Sequence, residues 1–229
     1  MIYAVIPFRK GSKRLKDKNI LPIANMPLAR HTIQQALLAM DDVIISTDYD
    51  IPELAKQIPE LDRPNVRCHK RMNVSDTQFA GDYLRQIIAT YNIDQNDSIC
   101  LLQPTCPCRR PYDIRQAVKK YETLKGDCLI SVYKIGSPGK LYKSLTGEKG
   151  RSYTGLTTVF AHEKPLYIRN SSIYIFKVSL FLTRNTIFAE DTILYEMPLS
   201  MSIDIDTRDD YNIAKTLIEG GVVEWSPQL

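Results

Sequence analysis

Short apolar runs alternate with amphipathic stretches through residue 135 of the chain. Apolar runs that end at proline or polar residues are typical of strands buried on both faces. In the stretches between them, apolar residues recur three and four positions apart, which predicts helices with one buried face. The runs predict strands at residues 2–7, 43–47, 65–68, 98–103 and 128–133. The amphipathic stretches predict helices at residues 27–40, 51–58, 76–91 and 112–124.

This alternation predicts an α/β fold class, with a three-layer, Rossmann-like and mostly parallel sheet that carries helices on both faces. The pattern is interrupted at residues 137–169, where glycine and polar residues dominate, and we interpret this stretch as a protruding, hairpin-like arm. Strand patterns return at residues 172–177 and near 201–205, and a final helix is predicted at 207–218. A single domain, residues 1–229, therefore accounts for the whole chain.

The composition is that of a folded domain and excludes few partners by itself. Apolar residues form 44% and charged residues 24% of the 229 residues, which is enough apolar surface for a buried core. The net charge of +4 is too small to indicate a nucleic-acid partner. The apolar N-terminal run has no basic start and ends at Pro7, and no apolar stretch approaches the roughly 20 residues of a membrane helix. We therefore expect a cytoplasmic protein with neither a nucleic-acid nor a membrane partner.

The cysteines predict free thiols. They are odd in number and no export signal precedes them, which argues against a disulfide framework. Cys106 and Cys108 flank a proline, but no second pair of Cys or His lies at ligand spacing, so a zinc site is not expected there. The five cysteines are Cys68, Cys100, Cys106, Cys108 and Cys128.

A basic loop at residues 9–19 directly follows the first predicted strand and reads RKGSKRLKDKN. Ligands of open α/β sheets bind beyond the carboxyl ends of the strands, so this position suits phosphate binding. Gly11 would let the backbone turn and point N–H groups at a phosphate, while Arg9, Lys13 and Lys18 would neutralise a triphosphate. The alternatives are a solvated basic loop or a nucleic-acid patch. The loop has neither the Gly-Lys-Ser/Thr ending of ATPase phosphate loops nor the three glycines of a dinucleotide fingerprint.

Two aspartates near the C-terminus, Asp204 and Asp206, are candidates for a metal site. In an extended strand both carboxylates would point to one face while Ile203 and Ile205 face the core. Two carboxylates on one face suit a hard divalent cation such as Mg²⁺. The alternatives are a strand end with solvated acids, or Asp206 acting only as a cap of the helix that begins near Thr207.

Several segments together resemble the signature motifs of the acylneuraminate cytidylyltransferases, which include the CMP-sialic acid synthetases and their legionaminic and pseudaminic acid relatives. The first segment, IPFRKGSKRLKDKNI at residues 6–20, resembles the family's Ile-Pro-Ala-Arg-Gly-Gly-Ser-Lys followed by Lys-Asn-Ile. The others, in the family's order, are MPL at 26–28, STD at 46–48, LLQPTCPCR at 101–109, NSSIYI at 170–175 and IDIDT at 203–207. Because these segments run in order over nearly the whole chain, the resemblance is specific although each motif alone is weak.

The resemblance implies the nucleotide-diphospho-sugar transferase type of fold and a transfer of CMP from CTP to the anomeric hydroxyl of an acidic nine-carbon sugar, with release of pyrophosphate. It also implies Mg²⁺ as the cofactor and a homodimer that pairs through the arm. By matching motifs, it assigns catalytic roles to Arg9, Lys18 and Asp206 and metal binding to Asp204 and Asp206. The matching nucleotide-binding residues are Pro7, Phe8, Arg9, Gly11, Ser12, Lys13, Lys18, Asn19, Arg71, Asp76 and Thr77. The matching sugar-binding residues are Gln103, Thr105, Asn170 and Tyr174.

This sequence departs from the family pattern at several positions. Phe8 and Lys10 replace an alanine and a glycine of the loop, and Ser171 replaces a glycine next to Asn170, which narrows the space near the sugar. An Arg-x-Gln motif that often precedes that asparagine is missing from residues 158–165, where His162 is the nearest polar substitute. The segment at Arg71 is shorter than in the family. These departures leave open which nonulosonic acid is the acceptor.

Three other functions compete with this interpretation. The eight-carbon ketodeoxyoctonate cytidylyltransferases have Lys-Pro where this chain has Lys18-Asn19, and an aspartate where it has Thr105. A sugar-1-phosphate nucleotidyltransferase would share the general fold. A non-catalytic nucleotide-binding subunit could also keep the fold, and it would differ from an enzyme in lacking turnover of CTP.

Overall fold

The computed structural model describes residues 1–12, 14–71, 80–135, 142–146, 149–152 and 166–223. Its strands are β1 Ile2–Phe8, β2 Pro22–Ile23, β3 Met26–Pro27, β4 Val43–Thr47, β5 Val66–Lys70, β6 Ser98–Leu101, β7 Cys128–Ile135, β8 Tyr142–Thr146, β9 Lys149–Ser152, β10 Leu166–Lys177 and β11 Ile193–Glu196. Its helices are α1 Leu28–Leu37, α2 Ile51–Ala55, α3 Ala80–Thr90, α4 Pro111–Leu124, α5 Val178–Arg184 and α6 Arg208–Glu219.

The main sheet has seven strands in the order β11-β7-β10-β6-β1-β4-β5. β1 pairs in parallel with β4 on one side and with β6 on the other, and β10 is antiparallel to both of its neighbours. The strand order therefore reverses at β1. From β1 the chain adds β4 and β5 on one side, and it then returns to add β6 on the other side of β1. This arrangement confirms the predicted α/β class with a mostly parallel sheet. It also creates a crevice between β1 and β6, where such sheets bind their ligands.

Alternating side chains of β1 divide the core into two layers. Ala4, Ile6 and Phe8 pack with Ile33 of α1 in the cluster that also holds the apolar residues of α4. Val5 faces the opposite side, in the cluster built by α3 and α5. Residues of a central parallel strand are apolar on both faces because helices cover both, as the sequence predicts.

A third, smaller apolar cluster joins distant parts of the chain at the carboxyl edge of the sheet. It includes Leu15 from the basic loop, Cys108 from the segment after β6, Ile205, and Tyr211 and Ala214 of α6. Its side chains are buried, so the loop and the segment 203–206 are held against one another by apolar contact.

Several elements of the structure differ from the predictions. The predicted strand near 201–205 is wrong: a 3₁₀ turn at Leu199–Met201 is followed by irregular backbone, because the Ile205 N–H bonds the Thr105 carbonyl at 2.8 Å instead of joining the sheet. The helix predicted from residue 27 begins at Leu28, since Pro27 is extended and pairs with Pro22. Helix α5 and strand β11 were not predicted, because both are short and their patterns are weak.

Part of the predicted arm belongs to the main sheet. Its last residues, 166–169, form the beginning of β10 and pair with β7. Within the arm, β8 and β9 form a two-stranded antiparallel pair. The remaining arm residues, including His162, lie outside the described residues. None of the helices that the structure describes combines the length and the apolarity needed to cross a membrane.

Candidate nucleotide-transfer site

The basic loop leaves the sheet at the end of β1, and two contacts hold its conformation. The Asn19 side-chain amide donates a hydrogen bond to the Arg9 carbonyl at 3.0 Å, which joins the end of the loop to its beginning. The Arg9 guanidinium donates to the carbonyls of Lys10 and Gly11, both at 3.3 Å. Gly11 has φ +67°, a left-handed conformation that only glycine adopts without strain. The loop is therefore a closed turn whose conformation depends on Asn19 and Gly11.

Lys18 connects the loop to the aspartates. It is 8% exposed, and its ammonium donates hydrogen bonds to the Ile205 carbonyl and to the Asp206 carboxylate, the latter at 3.1 Å. The second Asp206 oxygen accepts from Arg14 at 2.5 Å. Asp206 is therefore not a helix cap, because Thr207 is the N-cap of α6 and shares a capping box with Asp210. The structure brings the predicted catalytic residues Lys18 and Asp206 into direct contact.

Asp204 and Asp206 are half-buried and alternate with Ile203 and Ile205, which pack in the third apolar cluster. The predicted alternation is therefore correct, although the segment is not a strand. Two carboxylates suit Mg²⁺, which prefers oxygen ligands and keeps several waters. No group of three or more His, Cys, Asp or Glu side chains at ligand spacing occurs among the described residues. The donor set thus fits a magnesium ion that shares its coordination with substrate oxygens.

Phe8 and Lys10, which distinguish this loop from the family pattern, both contact Tyr49. The Phe8 ring lies 5.9 Å from the Tyr49 ring, and the Lys10 ammonium lies 5.3 Å from the centroid of the same ring. The Lys10 N–H also donates to the Asp48 carboxylate at 2.8 Å. Burial raises the pKa of Tyr49 to about 12, with smaller contributions from Asp17 and Asp48. These contacts attach the first part of the loop to the end of β4.

Arg71 follows β5, at the same carboxyl edge of the sheet as the loop. Its N–H bonds the Thr47 carbonyl at 2.8 Å, and its guanidinium lies 4.4 Å from the centroid of the Tyr83 ring. Burial lowers the pKa of Arg71, and the neighbouring Arg9 lowers it further, whereas Tyr83 and Asp48 oppose this change. Arg9 and Arg71 are therefore close enough to repel each other, and an anionic ligand between them would relieve that repulsion.

Gln103 and Thr105 follow β6, on the other side of the crevice. Both are half-buried, and the Thr105 carbonyl accepts the Ile205 N–H. Thr105 therefore lies beside the segment with the aspartates, and the predicted contacts of Gln103 and Thr105 with the sugar stay predictions.

The Asn170 side chain lies behind a bulge in β10, where the register with β7 shifts between Arg169 and Tyr174. It is 2% exposed, accepts a hydrogen bond from the Ser131 hydroxyl at 2.6 Å and donates to the Ser202 hydroxyl at 2.8 Å. Ser202 immediately precedes the segment with the aspartates. Asn170 thus links the bulge to that segment through its side chain. Its amide is buried and does not face solvent, and its predicted contact with the sugar stays a prediction.

Tyr174 is the other predicted sugar-binding residue on β10, and its ring is buried. Burial raises its pKa, with Cys106 and Asp204 adding to the effect while Ser171 and Arg169 oppose it. The ring packs edge-on against Phe188 at 6.3 Å. Tyr174 therefore lies close to both Ser171 and Asp204, and its predicted contact with the sugar stays a prediction.

Arg109 is a site-supporting residue that was not among the predicted site residues. It is fully buried, and its guanidinium donates to the Ser172 carbonyl at 2.5 Å and to the Thr32 hydroxyl at 2.8 Å. Its Nε has no hydrogen-bond partner within the described residues. Burial lowers the pKa of Arg109. The signal that could have identified it is its position at the end of the LLQPTCPCR segment, one of the motifs that match the family.

All five cysteines are free thiols, which confirms that prediction. Cys106 and Cys108 are buried, and Cys106 donates a hydrogen bond to the Asn170 carbonyl at 3.3 Å. Burial raises the pKa of Cys108 to about 12, so its thiol stays protonated at neutral pH. Cys106 and Cys108 pack within the segment after β6.

Most of the predicted site residues meet at the carboxyl edge of the sheet. The loop residues Pro7 to Asn19, Arg71, the segment after β6 and the aspartates surround the crevice between β1 and β6. Ser12 is half-buried within the loop. Lys13, Asp76 and Thr77 lie outside the described residues, so their predicted roles in nucleotide binding stay predictions.

Comparison with known proteins gives a consistent family. The family model described as cytidylyltransferase matches residues 3–222. A CMP-N,N'-diacetyllegionaminic acid synthase of Legionella pneumophila is 32% identical over 235 residues, covering 95% of this chain and 96% of the relative. An N-acylneuraminate cytidylyltransferase of Streptococcus agalactiae serotype III is 30% identical over 215 residues, covering 90% of this chain and 51% of the relative. This chain therefore spans about half the length of the streptococcal protein.

The fold has a solved counterpart. A CMP:2-keto-3-deoxy-manno-octonic acid synthetase complexed with CTP superposes with a TM-score of 0.67, covering 96% of this chain and 98% of the other, at 15% identity. At that identity the likeness supports the fold alone. The matched family model spans the loop, the crevice and the aspartates, and we conclude that this chain belongs to the cytidylyltransferase family.

Proposed function

We propose that this protein transfers CMP from CTP to the anomeric hydroxyl of a sialic-acid-like nonulosonic acid and releases pyrophosphate. The observation that carries the proposal is the contact of Lys18 with Asp206, which joins the basic loop to the segment with the aspartates. The relatives named for N-acylneuraminate and diacetyllegionaminate chemistry support this class of acceptor.

In the proposed reaction, the hydroxyl oxygen of the acceptor attacks the α-phosphorus of CTP in line with the bond to the β-phosphate. That bond breaks, pyrophosphate leaves, and the hydroxyl proton passes to solvent. Negative charge increases on the phosphate oxygens, so fixed cations that face them lower the barrier. Arg9 and Lys18 would hold the departing phosphates, and Asn19 would keep the loop closed around them.

The proposal includes Mg²⁺ bound by Asp204 and Asp206. When bound, it would supply positive charge to the phosphate oxygens and to the attacking hydroxyl. In the structure, Lys18 and Arg14 occupy the Asp206 carboxylate. We infer that Lys18 keeps Asp206 in position, since it is the buried partner, while the exposed Arg14 can move away when a cation binds.

The direct test is pyrophosphate release with CTP and a panel of nonulosonic acids. We expect turnover with at least one such acid and much slower turnover with UTP. Release of pyrophosphate with UTP and a sugar 1-phosphate, but with no nonulosonic acid, would refute the proposal in favour of a sugar-1-phosphate nucleotidyltransferase. Binding of CTP without turnover of any acceptor would indicate a non-catalytic subunit. Ketodeoxyoctonate belongs in the panel, as the acceptor of the eight-carbon alternative.

A homodimer that pairs through the arm is part of the same proposal, because the resemblance implies it. Light scattering of the purified chain would test it: a mass near twice 26.2 kDa supports the dimer, and a mass of one chain contradicts it.

A further inference from the structure

Ser171 has an unusual backbone for a residue with a side chain. Its φ is +58°, in the left-handed region, and it lies in the bulge of β10 between Arg169 and Tyr174. A side chain in this conformation clashes with its own backbone, so glycine is favoured there. A serine that stays at such a position is strained, and strain of this kind is concentrated at ligand sites.

The bulge lies at the edge of the sheet that carries the site. Because β10 is antiparallel to β6 and Tyr174 is opposite Leu101, residues before Tyr174 extend past the carboxyl end of β6. The segment after β6 contacts the bulge there, through the Cys106 thiol and the Asn170 carbonyl. Ser171 therefore lies next to Thr105 and Cys106, on the acceptor side of the crevice.

The Ser171 side chain is half-buried and lies close to the phenol of Tyr174. Tyr174 in turn lies within electrostatic range of Asp204. The Asn170 network behind the bulge fixes the backbone on one side, and Arg109 fixes it on the other by donating to the Ser172 carbonyl. The backbone of the bulge is thus held on both sides of Ser171.

We infer that Ser171 is a specificity-determining residue, whose side chain, carried by a bulge that is held on both sides, limits the size of the acceptor substituent that lies against β10. The inference rests on the proposed function, since it describes the acceptor end of the same crevice. It predicts that removal of the Ser171 side chain makes room for a larger acceptor substituent beside β10 and leaves the binding of CTP at the loop unchanged.

The experiment compares Ser171→Gly, Ser171→Ala and Lys125→Gly with the wild type. Lys125 is a matched control: it is also left-handed, with φ +50°, but it is exposed and ends α4, at the amino edge of the sheet before β7. Each protein is assayed with CTP and a series of nonulosonic acids in which one substituent at a time is lengthened. The readouts are kcat/KM for each acceptor, KM for CTP and the melting temperature.

We expect Ser171→Gly to raise kcat/KM for one lengthened acceptor about tenfold relative to its shorter parent, since a pocket change of one or two carbons has effects of that order. Ser171→Ala keeps the Cβ and should change the ratio less. Both glycine variants should melt a few degrees higher than the wild type, roughly 2–4 °C, because the strain is removed. KM for CTP should stay within about twofold of the wild-type value for all three variants.

An unchanged ratio for every acceptor pair in Ser171→Gly, with the expected gain in melting temperature, would overturn the inference and leave the proposed function intact. An equal change for all acceptors, long and short, would also overturn it, because the residue would then affect catalysis in general. If the wild type turns over CTP with none of the acids, the proposed function itself fails, and the two failures are thereby distinguished.

Discussion

The proposed phosphate half of the site, residues 9–19, and the proposed acceptor half, at the bulge of β10, differ in what holds their side chains. The loop presents cations on a backbone held by a few contacts, of which the bond from Asn19 to the Arg9 carbonyl is one. The bulge is built on buried polar groups, Asn170, Ser131 and Arg109, whose hydrogen bonds are made to other parts of the protein. Changes in the first half should therefore affect turnover, and changes to the buried polar groups of the second should affect stability.

This difference has a physical reason. A triphosphate carries its own charge and is bound by cations that need only be near it. An acceptor must be held so that one hydroxyl reaches one phosphorus, which requires a rigid surface. The aspartates connect the two halves, because Lys18 reaches Asp206 from the loop and Ser202, next to them in the chain, bonds Asn170.

The largest effect should come from the aspartates. Asp204→Asn and Asp206→Asn keep the shape of the side chain and remove one charge each, so kcat should fall about 10³-fold in each variant. The melting temperature should change by no more than about 4 °C, because the Asp206 carboxylate is 49% exposed. The measurement is turnover of both variants across a magnesium titration.

Full turnover of both variants, or wild-type turnover in excess chelator, would contradict the metal site. A fall in turnover in only one variant would indicate that a single carboxylate binds the metal. Glu219→Gln is a suitable control, because Glu219 lies at the end of α6 and accepts a bond from the Ala24 N–H, away from the crevice.

The next effect should come from the loop. Arg9→Ala should lower kcat/KM about 10²-fold, which corresponds to a loss of roughly 3 kcal/mol of transition-state stabilisation. Lys18→Met should lower it at least as much, since Lys18 also holds the Asp206 segment. The measurement is kcat and KM of each variant, with CTP varied at a fixed acceptor concentration. Near-normal values in either variant would exclude that residue from the phosphate site.

For Arg109→Met we expect a smaller effect on turnover and, unlike in the loop variants, a loss of stability. The change leaves the Ser172 carbonyl and the Thr32 hydroxyl without their partner, at a cost of about 2 kcal/mol of unfolding free energy. In the protein that remains folded, kcat should stay within about fivefold of the wild type, because Arg109 touches no substrate. Urea unfolding gives the first quantity and steady-state kinetics the second. A 10²-fold loss of kcat with an unchanged free energy of unfolding would contradict the comparison, because a buried residue at the bulge would then affect turnover and not stability.

The fold was predictable where the sequence pattern is local. Val43–Thr47 is a strand with the predicted bounds, and β1 and α4 differ from their predictions by a single residue at one end. The conformation of the segment near 201–205 was not predictable. Its apolar residues pack on α6 and its backbone bonds Thr105, and neither partner can be inferred from periodicity.

The site was predictable as a set of residue types but not as a set of contacts. The contact between Lys18 and Asp206 joins residues 188 positions apart, and only the resemblance placed them in one site. The same holds for Asn170, whose residue type suits a sugar contact as well as a buried network. Burial decides between these roles, and burial of a single polar side chain has no sequence signature.

The smallest effect should come from Arg14, and it provides the sharpest test of what orders the loop. Arg14 and Lys18 both contact Asp206, but the Arg14 side chain is 72% exposed and the Lys18 side chain 10%. An exposed ion pair contributes little to stability, because water and salt screen it, whereas a buried lysine that also bonds a carbonyl fixes the backbone. Arg14→Ala should therefore change the melting temperature by less than about 2 °C and kcat/KM by less than about threefold, while it lowers the magnesium concentration needed for half-maximal turnover, since the cation no longer competes with Arg14 for Asp206. Magnesium titrations of Arg14→Ala, Lys18→Met and the wild type measure this directly. A loss of activity in Arg14→Ala as large as that in Lys18→Met would show that exposure does not separate the two contacts and that both cations hold the phosphates.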